Sequence, residues 1–251
     1  MKNKLKLGLA LFLIGMLGII TLLTVTVPLD SIPNEVLDYL SPGMIKVLIL
    51  VNPVILLLIA VIVGSLLADK VGLKVPAVAH VLNIEKPAIR FQEQMMYGIL
   101  IGLFAGLLLI MIRLAFGQLI PEVFAQLENN VQTTPLARIG YGGFTEEIIF
   151  RYGFMSFVVW VVFKISRKLN APTYWSGIII ASVLFGIGHF PVAIAAVDRP
   201  DVLFLAYILL GNTTGAVFFG WLYWRKGLES AFAGHIFAHV AMMAGEWIFQ
   251  L

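Results

Sequence analysis

MIKVLILVNPVILLLIAVIVGSLLA, residues 44–68, carries one charged side chain, Lys46, in 25 positions. The hydrocarbon core of a bilayer is about 30 Å thick and takes roughly 20 apolar residues of helix to cross. This stretch is long enough and apolar enough to be such a helix. Working outward from it, the same kind of run recurs at about 7–27, 95–117, 139–163, 174–196, 202–224 and 228–250, giving seven candidate spans.

Helix-breaking residues separate them. Pro28, Pro33 and Pro42-Gly43 interrupt the first junction, and Asp69, Lys70, Gly72 and Pro76 end the second span. Pro121 and Pro135 bracket a short polar stretch before the fourth. Asn170 to Pro172, Asp198 to Asp201 and Arg225-Lys226-Gly227 mark the later breaks.

The whole composition agrees with this reading. Hydrophobic residues make up 60% of the 251 and charged residues 12%, against about 25% charged in a typical soluble domain. Mean hydropathy is +0.97. So few charges cannot cover so much apolar surface in water, so lipid is the solvent. The absence of cysteine excludes disulfides, thiolate metal sites and a Cys nucleophile. The net charge of +3 does not point to nucleic acid, because the bases sit in short clusters between apolar runs.

Those clusters set an orientation, since cytoplasmic loops carry the excess Lys and Arg. With the N-terminus inside, the inner segments hold Lys2, Lys4, Lys6, Lys70, Lys74, Lys86, Arg90, Lys164, Arg167, Lys168, Arg225 and Lys226. The outer segments hold only Lys46, Arg138 and Arg199. The first span is read as a retained helix rather than a signal peptide, because its run is about 20 residues long and no small-x-small cleavage site follows it. Residues 75–94 mix apolar and charged side chains and read equally as a surface helix or a loop. With no repeat, low-complexity tract or soluble unit, residues 1–251 read as a single all-α, polytopic transmembrane bundle of about seven to eight helices. Basic inner loops without an organelle signal suit a prokaryotic plasma membrane with a cytoplasmic N-terminus.

Charges inside such spans are costly and mark function. The fourth span holds Thr145-Glu146-Glu147-Ile148-Ile149-Phe150-Arg151. Glu147 and Arg151 are four apart and can pair along one face. Glu146 lies about 100° further round and is left as a base aimed into the bundle. The fifth span holds Phe185 and, on the same face, His189, with Gly186 and Gly188 permitting close approach of a neighbour. The seventh holds His235 and His239 at i and i+4, the spacing at which one helix offers two ligands to a metal. It is not H-E-x-x-H, since position 236 is Ile, so a base would have to come from elsewhere, with Glu146 the obvious source.

A bundle that buries Glu146, Glu147, Arg151, His189, His235 and His239 must bring them together, because each alone would remain unpaired. One difficulty is depth. With these spans Glu146 and His189 fall toward the outer half and His235 toward the inner, an offset of several ångströms that tilt, or a fourth helix starting near Thr134, would remove. Weaker polar features are Asn212, Thr213 and Thr214, flanked by Gly211 and Gly215 in a small-x-x-x-small packing pattern. Arg113 is expected to snorkel outward, Asn52-Pro53 to mark a kink, and Glu246 to reach the outer interface. His80 reads as incidental.

These motifs resemble those of the CPBP family, the CAAX proteases and bacteriocin-processing enzymes, also called Abi. E-E-x-x-x-R is matched by Glu146, Glu147 and Arg151; F-x-x-x-H by Phe185 and His189; H-x-x-x-N/D by His235, with His239 standing where the family has Asn or Asp. The resemblance covers about 139–245. It implies an intramembrane endopeptidase in which Glu146 and His189 activate a water, His235 helps to bind the oxyanion or water, and His239 takes the Asn role. It implies a membrane-associated or lipidated protein or peptide as substrate. It leaves the cofactor open between zinc and none, the candidate ligands being Glu146, His189, His235 and His239. The competing readings are a non-catalytic membrane regulator of the same fold and a proton-relay transporter. The transporter reading expects inverted repeats, and the sequence displays none.

Overall fold

Apolar runs of this length can satisfy their backbone in lipid only by coiling into helices or closing into a barrel, and here they coil. The computed structural model describes residues 2–25, 39–86, 89–130 and 133–250, and among these there is no strand. Ten helices follow in order: α1 Lys2–Thr21, α2 Pro42–Leu67, α3 Pro76–Val81, α4 Phe91–Leu119, α5 Pro121–Asn130, α6 Pro135–Ser166, α7 Ala171–Gly188, α8 Phe190–Ala195, α9 Val202–Lys226 and α10 Leu228–Phe249. The expected breakers Pro28 and Pro33, and the last two residues of the expected first span, lie outside the described residues.

Among the described residues, helices or helix pairs at six places are long and apolar enough to cross a membrane: Lys2–Thr24, Gly43–Val71, Phe91–Leu119, Pro135–Ser166, Ala171–Ala195 and Val202–Lys226. The seventh expected span, α10, is 22 residues long but carries Glu229, His235, His239 and Glu246. Its lower hydropathy has a structural reason. Every residue from Gly227 to His235 is buried, so this part of α10 is solvated by its neighbours and not by lipid.

Contacts between loops define two ends. At one, Leu228 donates to the Lys74 carbonyl, Gln94 to the Lys226 carbonyl and Tyr174 to the Val71 carbonyl. At the other, Thr24 bonds Thr134, Arg138 bonds Glu246 and Asn130 bonds the Ala196 carbonyl. The first end carries the basic clusters. There Glu229, buried at 6% exposure, accepts from the Val78 amide at 2.8 Å and from Gln94 at 3.0 Å. Its carboxylate so satisfies an otherwise orphaned amide in the first turn of α3. The 75–94 segment is helical only from Pro76 to Val81 before α4 begins at Phe91; Pro87 and Ala88 lie outside the described residues.

α4 packs closely along α10, and small residues make it possible. A methyl group on Gly102 would lie 2.3 Å from the Gly234 carbonyl oxygen and 2.9 Å from its Cα. One on Gly98 would meet Ala233 at 2.6 Å, and one on Gly106 the Ala238 carbonyl at 2.6 Å. Backbone cannot step aside as a side chain can, so Gly102→Ala is expected to wedge the two helices apart. Overpacking of this kind costs about 1–3 kcal/mol, readable as a lowered unfolding midpoint in detergent. An unchanged midpoint would show that the seam is looser than these distances.

Several local expectations change. The polar stretch before α6 is itself helical. Pro121 starts α5, whose Phe124 and Leu127 pack with Phe190, Ala193, Phe204 and Ile208 on α8 and α9. Arg113 does not snorkel free but pairs with Glu128 and lies 4.8 Å from the Phe124 ring centroid. The Gly211/Gly215 packing pattern is not used as expected. A methyl on Gly211 would touch nothing within 4 Å, and Gly215 has only ordinary contacts. Close approach of α9 to α7 occurs instead at Gly186, 2.8 Å from Thr213 Oγ1 by the same measure, while Gly188 is open except for Phe150 at 3.8 Å. Pro53 is carried inside α2.

Candidate active site

α6 is not a uniform α-helix. Residues Arg138–Glu146 and Ile148–Met155 wind with wider i→i+5 bonds, a geometry that is rare and concentrated at functional sites. The first stretch, RIGYGGFTE, contains three glycines, which lower the resistance to leaving α geometry. The helix starts at Pro135 with Thr134 capping it, its side chain accepting from the Ala137 amide at 3.2 Å. It therefore begins four residues before the expected 139.

That earlier start bears on the depth offset expected from the sequence. So does the end of α7. Pro191 has no N–H to give the Ile187 carbonyl, so α7 stops at Gly188 and His189 sits at the corner between α7 and α8. The offset does not persist in the structure. Glu146 Oε1 lies 3.9 Å from His189 Nε2, and Glu146 Oε2 lies 4.0 Å from His235 Nε2.

Each imidazole is oriented from behind. His189 Nδ1–H donates to the Phe185 carbonyl at 2.8 Å, an atom that can only accept. His235 Nδ1–H donates to Glu147 Oε1 at 2.8 Å. Both bonds leave Nε2 turned toward Glu146. Glu147 is fully buried, and its Oε2 lies 3.1 Å from Arg151 Nε. Arg151, 1% exposed, also donates to the Ala216 carbonyl at 3.2 Å and sits over the rings of Phe185 and Phe219. Phe185 is the hub, edge-on to Phe150, His189 and His235. The bond from Glu147 to His235 was not foreseen: spacing within one helix gave its partner Arg151, but no pattern in a single sequence joins α6 to α10.

His239 stacks on His235, with ring centroids 4.9 Å apart, and His235 stacks on Phe219 at 4.6 Å. Its Nδ1 is buried without a partner. Its Nε2 faces Gly142, where an added methyl would lie 2.9 Å from it and 3.5 Å from His235 Nε2. Gly142 was not singled out in the sequence, and its missing side chain is what leaves space beside both rings. Gly142→Ala is expected to lower any catalytic activity at least about tenfold, with a loss of unfolding free energy no larger than the roughly 1–3 kcal/mol of overpacking. Full activity in Gly142→Ala would mean that the space is not used.

Exposure grades across the cluster: the His189 side chain is 36% exposed, Glu146 15% and His235 7%. The cluster thus opens at the α7–α8 corner and closes toward Glu147 and Arg151. Glu246 lies at the end of the bundle away from the basic clusters, where it closes the α6–α10 seam in an ion pair with Arg138 at 2.7 Å. Among the described residues, no three His, Asp or Glu side chains are grouped as a metal ion requires. His80 lies on α3, far along the chain from this cluster and at the basic end.

Fold and site together define a polytopic helical membrane protein with a carboxylate and imidazoles facing one another inside the bundle. Residues 135–241 match the family model described as Rce1-like, type II CAAX prenyl endopeptidase Rce1-like, which places this segment in the CPBP family. No curated protein and no solved structure matches the chain.

Proposed function

We propose that this chain is an intramembrane endopeptidase that hydrolyses a peptide bond in a membrane-associated or lipidated protein or peptide, with Glu146 as the base that activates water. The observation that carries the reading is the pair of separations from Glu146 to His189 and His235, 3.9 and 4.0 Å. These are too long for direct hydrogen bonds and of the length that one bridging water spans.

The chemistry follows from the chain's own groups, with no step assigned to a metal, since among the described residues no three His, Asp or Glu side chains group as a metal ion requires. A water between Glu146 and His189 Nε2 gives its proton to the Glu146 carboxylate. Its oxygen forms a bond to the scissile carbonyl carbon, and the carbonyl π pair moves onto oxygen. His239 supplies a donor for that oxyanion. Its buried Nδ1 lacks a partner, and a buried bare acceptor is better tolerated than a buried orphan N–H; the proton therefore sits on Nε2, toward Gly142. His235 carries the proton onward, from Glu146 to its own Nε2 and then to the departing amide nitrogen as the C–N bond breaks. Glu147, bonded to His235 Nδ1, stabilises the imidazolium as a buried carboxylate does in other hydrolases.

His239 tests the oxyanion role. Loss of one such donor typically costs 10²–10³ in kcat, so His239→Leu is expected to fall by about that factor. His239→Asn retains an N–H donor and is expected to stay within about tenfold of wild type. Equal loss in both would assign His239 to something an amide cannot do. The substrate class is tested by cleavage of a panel of C-terminal peptides, prenylated and unprenylated, by the wild-type protein in liposomes with and without chelator. Cleavage supports the peptidase. Intact peptides throughout, on protein shown to be folded, would overturn it.

A further inference from the structure

We infer that α1, a helix outside the segment matched by the family model, belongs to the catalytic apparatus: through Thr145 it holds Glu146 in line with His189 and His235. The inference rests on the peptidase reading of the site. Thr145 is fully buried, and its hydroxyl donates to the Gly15 carbonyl of α1 at 2.7 Å. It is the residue immediately before Glu146, in the stretch of α6 that has left α geometry.

The two helices meet almost backbone to backbone around it. A methyl on Gly18 would lie 2.2 Å from Thr145 Oγ1 and 2.4 Å from the Gly140 carbonyl oxygen, and one on Gly140 would lie 2.5 Å from Thr21. Thr21 in turn returns its hydroxyl to the Gly18 carbonyl at 2.6 Å. The wide i→i+5 winding departs from the angular step of an α-helix, so the direction in which Glu146 leaves the helix depends on that winding being held. The bond from the neighbouring Thr145 to Gly15 of α1 fixes that stretch against a second helix. Among the described residues the Glu146 side chain has no hydrogen-bond partner; two imidazole nitrogens stand 3.9 and 4.0 Å away. Its aim is therefore set by its backbone, and that backbone is tied to α1 at Thr145.

Thr145 is on this account a positioning residue. The functional state of α1 is separable from its general packing, because the same helix also packs on α2. A methyl on Gly8 would meet only side chains of α2, Ser65 Oγ at 2.8 Å and Val61 Cγ1 at 3.4 Å, and Gly8 lies about 10 residues, or roughly 15 Å, along α1 from Gly18.

The experiment measures kcat, KM and the pH profile of cleavage, per folded molecule, for wild type and for Thr145→Ser, Thr145→Val, Gly18→Ala and Gly8→Ala. Thr145→Val and Gly18→Ala are expected to lower kcat at least about tenfold with KM within twofold, and to shift the acid limb of the profile because the carboxylate is displaced. Thr145→Ser and Gly8→Ala are expected to keep the wild-type kcat and acid limb. A purely structural role would lower the folded fraction while the surviving molecules kept the wild-type kcat and profile, and that outcome overturns the inference. So does a kcat loss in Gly8→Ala equal to that in Gly18→Ala. Absence of cleavage by the wild type would instead refute the peptidase reading.

Discussion

Glu147→Ala is expected to be the most destabilising single substitution in the core of the bundle. The carboxylate is fully buried, accepts from His235 at 2.8 Å and stands 3.1 Å from Arg151 Nε. Its removal strands the Arg151 guanidinium, 1% exposed, with one carbonyl and two aromatic faces for company. Breaking a buried pair from one side typically costs about 3–5 kcal/mol, a large share of the roughly 5–15 kcal/mol by which a domain is stable.

The same reasoning makes a non-additive forecast. Removing both charges, in Glu147→Ala combined with Arg151→Met, leaves no stranded ion and is expected to recover much of the loss. Unfolding midpoints in detergent for the two single variants and the double variant check this. A double variant as unstable as the sum of the singles would show that the pair is not what matters.

Glu146→Gln should behave in the opposite way, losing activity while keeping the fold. Among the described residues the Glu146 carboxylate has no hydrogen-bond partner, and two imidazole nitrogens stand 3.9 and 4.0 Å away. An amide of the same shape removes an unpaired charge from a poorly solvated site, so stability should hold or rise, as it often does when a functional group is neutralised. Activity should fall by about 10²–10⁴, the usual contribution of a positioned base. The two adjacent glutamates would thus separate cleanly: one carries stability, the other chemistry.

Much of this was legible in the chain because lipid imposes a strong filter. Twenty-residue apolar runs have few alternatives in a membrane, and a charge inside one has to be justified. That is why the helical bundle, and Glu146, Glu147, Arg151, His189, His235 and His239 as a set, could be read without coordinates. The pairing of Glu147 with Arg151 was readable because i,i+4 spacing is a property of one helix.

What could not be read depends on two helices at once or on departures from regular geometry. Gly142 and the Thr145–Gly15 bond matter through a partner on α10 or α1, and no spacing rule within α6 announces them. The depth offset came from assuming uniform α winding and a start at 139. The amphipathic α5 reads in the sequence as a polar connection because its apolar residues, Phe124 and Leu127, are few and its span is short. The Gly211/Gly215 pattern misled in the other direction: small residues permit close packing but do not cause it.

The most direct test of the central claim is cleavage of one peptide substrate in liposomes by wild type and by Glu146→Gln, each confirmed to be folded. The account requires cleavage by the wild type and a loss of about 10²–10⁴ in the variant at an unchanged unfolding midpoint. Equal cleavage by both proteins would remove Glu146 as the base and with it the mechanism built on its two histidine neighbours.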